Sequence, residues 1–323
     1  MKLSVAITTY NHAPYIAEAL DSVLMQETDF NYEILIGEDG STDGTREIVQ
    51  KYKERYPDKI RLFLNDRENV ICIHGRPTGR WNFVNNLTHA RGKYIALLEG
   101  DDYWTDPCKL QQQVELLEAH PDCAICFHNM QVIYGDGKKE SHPSNTNQKE
   151  ISTIESLFGG NYIYTASCVF RNGLLGELPE WFMQVLPGDL PLFIMLAQYG
   201  KIKYLDKIMG VYRIHTSGIW GTKSKFFRLF CTADMFEKLF LNFQKSPYAT
   251  PLGQAAFNQY YSLVSLLDRE NDLKNARKHA VKLFSLRHYN PHRSKKGLYE
   301  LLVRVYAPCF FKIASFIIKK IKS

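Results

Sequence analysis

Ala90-Arg91-Gly92-Lys93-Tyr94-Ile95-Ala96-Leu97-Leu98-Glu99-Gly100-Asp101-Asp102 is the stretch on which the fold turns. The apolar run 94–98 stops abruptly on acids. A short apolar run without polar alternation reads as a strand covered on both faces, and here carboxylates sit at its carboxyl end. Just upstream, 82–90 reads as a helix. Just downstream, Asp106-Pro107 opens another helix with Leu110, Val114 and Leu117 on one face, and a further apolar run follows at 123–128. Helices alternating with buried strands imply a mainly parallel sheet with helices on both sides.

The alternation continues outward in both directions. Leu3–Thr9 is an apolar run, and Pro14 then opens a helix with Ile16, Ala19, Leu20, Val23 and Leu24 at helical spacing. Strands are expected at 32–37 and 60–64, with Asp39-Gly40-Ser41-Thr42-Asp43-Gly44 and a helix between them. The polar segment 134–149 reads as a mobile surface loop. A short helix near Ser156, a strand at 166–170, a helix at 190–198 and strands at 202–205 and 209–214 complete the β-containing part. Beyond about residue 218 only helical patterns remain, at 223–240, 253–269 and 273–286, with a last stretch broken by Pro308. The expected architecture is an α/β, Rossmann-like domain over 1–218 followed by a helical region over 219–323.

Composition sets the bounds. The chain has 323 residues, 45% hydrophobic and 23% charged, which excludes a disordered or fibrous protein. The formal charge of +6 is concentrated: 288–323 holds eight Lys and Arg against one acid, Glu300, so the body is near neutral. This argues against a nucleic-acid-binding body. Seven scattered cysteines form no disulfide framework, and a reducing compartment is expected. Cys123-Ala-Ile-Cys126 has the spacing of a redox or zinc pair, but it lies in a buried strand and no second pair follows, so core packing is the preferred reading. The N-terminal apolar stretch is too short for a signal peptide, and no run of 18 uncharged apolar residues suggests a membrane span. A cytoplasmic protein is expected.

Three acidic groups stand at strand or loop ends: Glu38-Asp39, Glu99-Gly100-Asp101-Asp102 and Gly188-Asp189. Any one of them alone is more simply a solvated turn or a helix cap. Together, at the carboxyl ends of one open sheet, they mark a ligand site. Neighbouring carboxylates suit Mg²⁺ or Mn²⁺ and, through the metal, a substrate diphosphate. No GxGxxG follows the first strand and no Gly-Lys-Ser/Thr loop occurs, so the diphosphate of a bound nucleotide would rely on metal and individual side chains. Arg76 or Arg80 could meet a phosphate, with a solvated loop at least as good a reading. Tyr103-Trp104 could stack on a sugar or simply cover the core.

Val5-Ala6-Ile7-Thr8-Thr9-Tyr10-Asn11, Glu38-Asp39-Gly40-Ser41-Thr42-Asp43-Gly44-Thr45, the 90–102 stretch, Gly188-Asp189 and Tyr212-Arg213-Ile214-His215 occur in this order. In that order they resemble the family 2 glycosyltransferases of GT-A fold, over about residues 1–218. The resemblance implies that Thr8 and Tyr10 line the nucleotide base and that Asp39 accepts the uracil N3–H. It places Asp101 toward the ribose and sugar, Asp102 on the metal with His215 nearby, and Asp189 as catalytic base. Two positions depart from the pattern. Glu38 replaces the usual first aspartate; one methylene longer, it is still expected to reach the base or ribose of the nucleotide. Gly188 stands where an acid often precedes the base. The Gln-x-x-Arg-Trp motif of processive members is absent, which argues for transfer of a single sugar.

The resemblance implies an inverting, metal-dependent transferase using a nucleotide sugar, UDP-linked by expectation, and a lipid-linked saccharide acceptor in surface polysaccharide assembly. A non-catalytic nucleotide- or glycan-binding protein is the alternative from another class. A sugar-1-phosphate nucleotidyltransferase is the rival enzyme, though Asn11-His12-Ala13-Pro14 stands where its Gly-rich basic loop belongs. Phe310, Ile313, Ile317 and Ile321 at helical spacing, amid Lys312, Lys319, Lys320 and Lys322, suit the anionic inner face of a membrane; docking on the body is the other reading.

Overall fold

The computed structural model describes residues 1–135, 140–215, 223–291 and 295–308. The chain divides into two compact units, Met1–Gly221 and Thr222–Ser323. The first unit opens with β1 (Leu3–Thr9), α1 (Ile16–Leu24), β2 (Tyr32–Glu38), α2 (Thr45–Arg55) and β3 (Ile60–Leu64). A small hairpin, β4 (Ile71–Ile73) and β5 (Arg76–Thr78), precedes α3 (Arg80–His89), β6 (Tyr94–Glu99), β7 (Tyr103–Trp104) and α4 (Lys109–Ala119). Next come β8 (Cys123–Tyr134), β9 (His142–Pro143), β10 (Ile151–Ser152), β11 (Cys168–Arg171), α5 (Asp189–Leu196) and β12 (Lys201–Ile214).

The sheet runs β10-β12-β8-β11-β6-β1-β2-β3. Pairing is parallel across β3, β2, β1 and β6 and again between β8 and β12, while β11 is antiparallel to both β6 and β8. This is the expected α/β class with a mainly parallel sheet. β1, β2 and β6 are mainly apolar because both faces are covered: Val5, Ile7, Ile34, Ile36, Ala96 and Leu98 join Ile16, Leu20 and Val23 of α1 in one core. The register sets Thr9 beside Glu38 and Thr8 beside Glu99, so three strands end together and present their acids at one edge.

The expected outline shifts in three places. β8 extends to Tyr134 rather than stopping near 128, because Asn129 lets a paired arm join it. The Asn129 side-chain oxygen accepts from Met130 N, Ser144 Oγ and Asn145 N, and β9 pairs with Gln131 and Val132. Residues 142–145 of the expected loop are therefore tied to the sheet, and 136–139 lie outside the described residues. The strands expected at 202–205 and 209–214 are one strand, β12, with irregularities in register near Ile208 that absorb the polar residues between them. Cys123 and Cys126 are both buried in β8 and part of the core, and burial pushes the Cys126 thiol up to about 12, as befits an inert thiol.

The second unit holds α6 (Lys225–Asn242), α7 (Ala249–Arg269), α8 (Leu273–Ser285) and α9 (Lys295–Tyr306). Ser224 Oγ caps α6 by accepting from Phe227 N, and Asp272 caps α8 by accepting from Asn275 N. Phe236, Leu239, Leu263, Val264, Leu267, Ala276, Ala280 and Leu283 are buried here. Among the described residues no helix is long and apolar enough to cross a membrane. The basic stretch 310–322 lies outside the described residues.

Candidate active site

The loops that leave β1 and β2 are laced together. Asn11 N donates to Ser41 Oγ and Thr42 N to Asn11 Oδ1; His12 N donates to Thr45 Oγ1, and Ala13 N to Asp43 Oδ2. Asp43 also accepts from Thr45 N at the start of α2. The acids and hydroxyls of 41–45 therefore act as turn and cap groups.

Beside this lacing, Tyr10, Asp39 and Arg67 converge. Asp39 N donates to Thr9 O, which fixes the aspartate at the strand end. Arg67 Nη1 donates to Asp39 Oδ2 at 3.2 Å, and its guanidinium lies 4.3 Å from the centroid of the exposed Tyr10 ring. Burial raises the Asp39 carboxyl to about 6; Arg67 opposes this and Glu38 adds to it. Arg67 was missed in the sequence because a basic residue in a polar turn carries no signal until the fold brings it back over Tyr10.

Glu38 does not face a ligand. It is fully buried, its Oε1 accepts from Ser41 N and its Oε2 from Arg46 Nε. The expected nucleotide contact is thus corrected to a structural one: the longer side chain folds back on its own loop.

The neighbouring aspartates part company. Asp101 Oδ2 is 2.9 Å from His215 Nε2 and 3.7 Å from His12 Nε2. Burial pushes the Asp101 carboxyl up, but the His215 hydrogen bond and the charges of His12 and His215 outweigh it and hold it below the usual range. Asp102 points the other way. It is buried, its Oδ1 accepts from Arg213 N at 2.9 Å, and burial next to Asp101 and Glu99 drives it well up. Asp101, and not Asp102, therefore stands with His215, a correction to the expected pairing. Arg213 completes the junction: its Nη1 donates to Asp101 O, its Nη2 pairs with Glu18, and its guanidinium covers Tyr103 at 4.4 Å. Trp104 is core, its Nε1 donating to Ala166 O, and it is closed to a sugar.

Glu99 ties the two sides of the site. Burial first, and then the charges of Asp101 and Asp189, raise its carboxyl to about 8. Asp189 begins α5 after Gly188, half-buried, and accepts from Asn161 Nδ2 at 2.6 Å. Burial raises the Asp189 carboxyl, opposed by the helix-start N–H groups, Arg80 and Asn161. A cleft of about 320 Å³ between Ile71–His74 of the hairpin and Glu180, Met183 and Gln184 opens beside the segment that leads to Asp189. Thr8 is the penultimate residue of β1, and its carbonyl accepts from Gly100 N.

Among the described residues no three metal-ligating side chains form a cluster. Asp101 and His215 nonetheless offer one carboxylate and one imidazole side by side, a donor pair that fits a divalent cation sharing its remaining positions with a substrate.

An open α/β sheet thus gathers a carboxylate–histidine pair and an aromatic–carboxylate slot at its carboxyl edge, where ligands of such sheets bind. The family model for glycosyl transferase family 2 matches residues 4–175, and the chain belongs to that family. An uncharacterized Mycobacterium tuberculosis protein, Rv1520, is 40% identical over 219 residues, covering 68% of this chain and 60% of its own length. The chain thus spans about 60% of that relative. The fold is shared with Staphylococcus aureus TarS residues 1–349, solved in complex with UDP-GlcNAc, at a TM-score of 0.64 and 20% identity over 97% of this chain and 89% of that one. It is also shared with the mannosyltransferase PcManGT of Pyrobaculum calidifontis, solved with GDP-Man and Mn²⁺, at a TM-score of 0.53 and 18% identity over 94% and 85%. These are GT-A glycosyltransferases, and residues 1–221 form a domain of that fold.

Proposed function

We propose that the protein is an inverting glycosyltransferase that moves one sugar from a UDP-sugar to a saccharide acceptor, lipid-linked, in bacterial surface polysaccharide assembly. The observation that carries this reading is the convergence of acids at one sheet edge: β1 and β2 end together at the Tyr10–Asp39–Arg67 slot, and Glu99 at the end of β6 feels the charges of both Asp101 and Asp189. Tyr10, with Arg67 packed against its ring, and Thr8 line the uracil, and Asp39 accepts its N3–H. The TarS complex with UDP-GlcNAc supports a UDP donor by likeness of fold.

Asp101 and His215 would hold a divalent cation, Mg²⁺ or Mn²⁺, whose charge offsets that of the departing diphosphate. Asp102 anchors β12 instead. Asp189 takes the proton from the acceptor hydroxyl as that oxygen attacks the anomeric carbon from the face opposite the diphosphate. The carbon–oxygen bond to the diphosphate breaks as the new one forms, which inverts the configuration in a single displacement. Burial raises the Asp189 carboxyl, which suits it to proton transfer.

The test is a screen of nucleotide sugars for UDP release with Mn²⁺ or Mg²⁺ added back to chelated protein. Metal-dependent release from a UDP-sugar is expected, with a product of inverted configuration. Full activity in excess EDTA would remove the metal from the reading.

A further inference from the structure

Gly188 and Arg80 belong together, although 108 positions separate them. Arg80 opens α3 and is only 4% exposed. Its Nη2 donates to three successive carbonyls: Val185 at 2.7 Å, Leu186 at 3.1 Å and Pro187 at 2.7 Å. The guanidinium lies 4.5 Å from the Phe182 ring centroid, so the same segment also covers its face. A Cβ on Gly188 would fall 2.7 Å from Arg80 Nη1.

A buried guanidinium is costly unless acceptors and a counter-charge compensate it. The carbonyls supply the acceptors, and Asp189 supplies the charge that raises Arg80 while burial lowers it to about 10. A neutral side chain could staple a loop at less cost. α3 also reaches the donor side. Asn82 Nδ2 donates to Gly37 O and Asn86 Nδ2 to Ile7 O, next to the ends of β2 and β1. One helix is therefore fastened at both sides of the site.

We propose that Arg80 is a positioning residue of the transfer reaction: by gripping the 185–187 carbonyls across a side-chain-free Gly188, it aims the Asp189 carboxylate at the acceptor hydroxyl. This rests on the reading of Asp189 as the general base. The groups that face Asp189 are Arg80, the Asn161 amide, Glu99 and the Cys168 thiol. Arg80 is the cation among them, so its loss leaves only the helix-start N–H groups and the Asn161 amide to oppose burial, and the carboxylate becomes harder to ionise.

The experiment uses the full chain with Arg80→Met, Arg80→Lys, Gly188→Ala and Asp189→Asn. It measures UDP affinity, turnover by UDP release with UDP-GlcNAc as first probe and the screened donor thereafter, and the acid limb of the turnover–pH profile. Arg80→Met is expected to lower turnover by about 10- to 100-fold, the scale of a small misplacement of a reacting group, with UDP affinity within about twofold of wild type. Its acid limb should move to higher pH. Arg80→Lys should restore part of the turnover and most of the limb, since it keeps the charge but loses the fork. Gly188→Ala should reproduce the turnover loss, and it serves as the test if Arg80→Met fails to fold. If Asp189→Asn abolishes turnover while Arg80→Met and Gly188→Ala keep wild-type turnover and pH profile, the inference is overturned and the base reading stands. Near-normal turnover in Asp189→Asn overturns the base reading, and the inference with it. Loss of UDP affinity in step with turnover in Arg80→Met would mark a general structural role and overturn the inference as well.

Discussion

Asp101 and Asp102 are adjacent and chemically identical, and the fold gives them opposite surroundings. One meets two histidines; the other is buried against the Arg213 N–H. Asp101→Asn is expected to abolish metal-dependent UDP binding. Asp102→Asn should leave it near wild type, because the amide oxygen still accepts from Arg213 and Asp102 is in any case driven toward its neutral form. Titration calorimetry with UDP and Mn²⁺ separates the two; a reversed result would return the metal to Asp102. At Asp39 the ionised carboxylate is the form that accepts N3–H. Its carboxyl titrates at about 6, so UDP affinity should fall as pH drops from 7.5 through 6 to 5. Asp39→Asn should weaken UDP binding by about 10- to 100-fold, the equivalent of a charge-assisted hydrogen bond of roughly 1.5–3 kcal/mol, and flatten that pH dependence. A mutant that binds as wild type at pH 7.5 would take Asp39 out of the slot.

At the scale of elements, α3 is held by polar side chains more than by an apolar stripe. Asn82, whose amide also accepts from Asn65 Nδ2, reads the Gly37 carbonyl inside the core. A Cβ at Gly37 would lie 1.8 Å from Asn82 Oδ1, so the helix can sit this close only over glycine. Gly37→Ala should destabilise the first unit by about 1–3 kcal/mol through overpacking and loss of that bond. Urea denaturation would show it as a lower midpoint with unchanged slope, and an unchanged midpoint would mean that α3 relaxes freely. The sequence hid this helix's role because asparagines in a helix look like surface residues until their partners are known.

At the scale of the whole molecule, an acidic α/β unit is followed in sequence by a basic helical one. From Leu273 to Tyr299 the chain carries no acid, and Lys274, Lys278 and Lys282 recur on α8. Removal of the residues after Pro308 should leave transfer to a soluble acceptor largely intact and reduce binding to vesicles containing anionic lipid, measured by co-sedimentation at low salt. High salt should weaken the full-length protein's binding, as screening requires. Binding that is unaffected by truncation would place the contact elsewhere.

The strand–helix alternation, the acids at strand ends and the switch to helices near residue 218 were all legible in the sequence, because both-face burial and helical spacing are local patterns. The order of the motifs put Thr8, Tyr10, Glu38, Asp39, Asp101, Asp102, Asp189 and His215 forward together as site candidates. Which carboxylate does what was not legible. Glu38 turns inward to Arg46, Asp102 to Arg213, and Asp101 outward to His215, and each choice depends on a partner from another part of the chain. Arg67 and Arg80 looked alike as basic residues near turns. Only tertiary structure laid one over Tyr10 and sank the other beneath Gly188, because burial and counter-charge are set by which segments meet rather than by which residues adjoin.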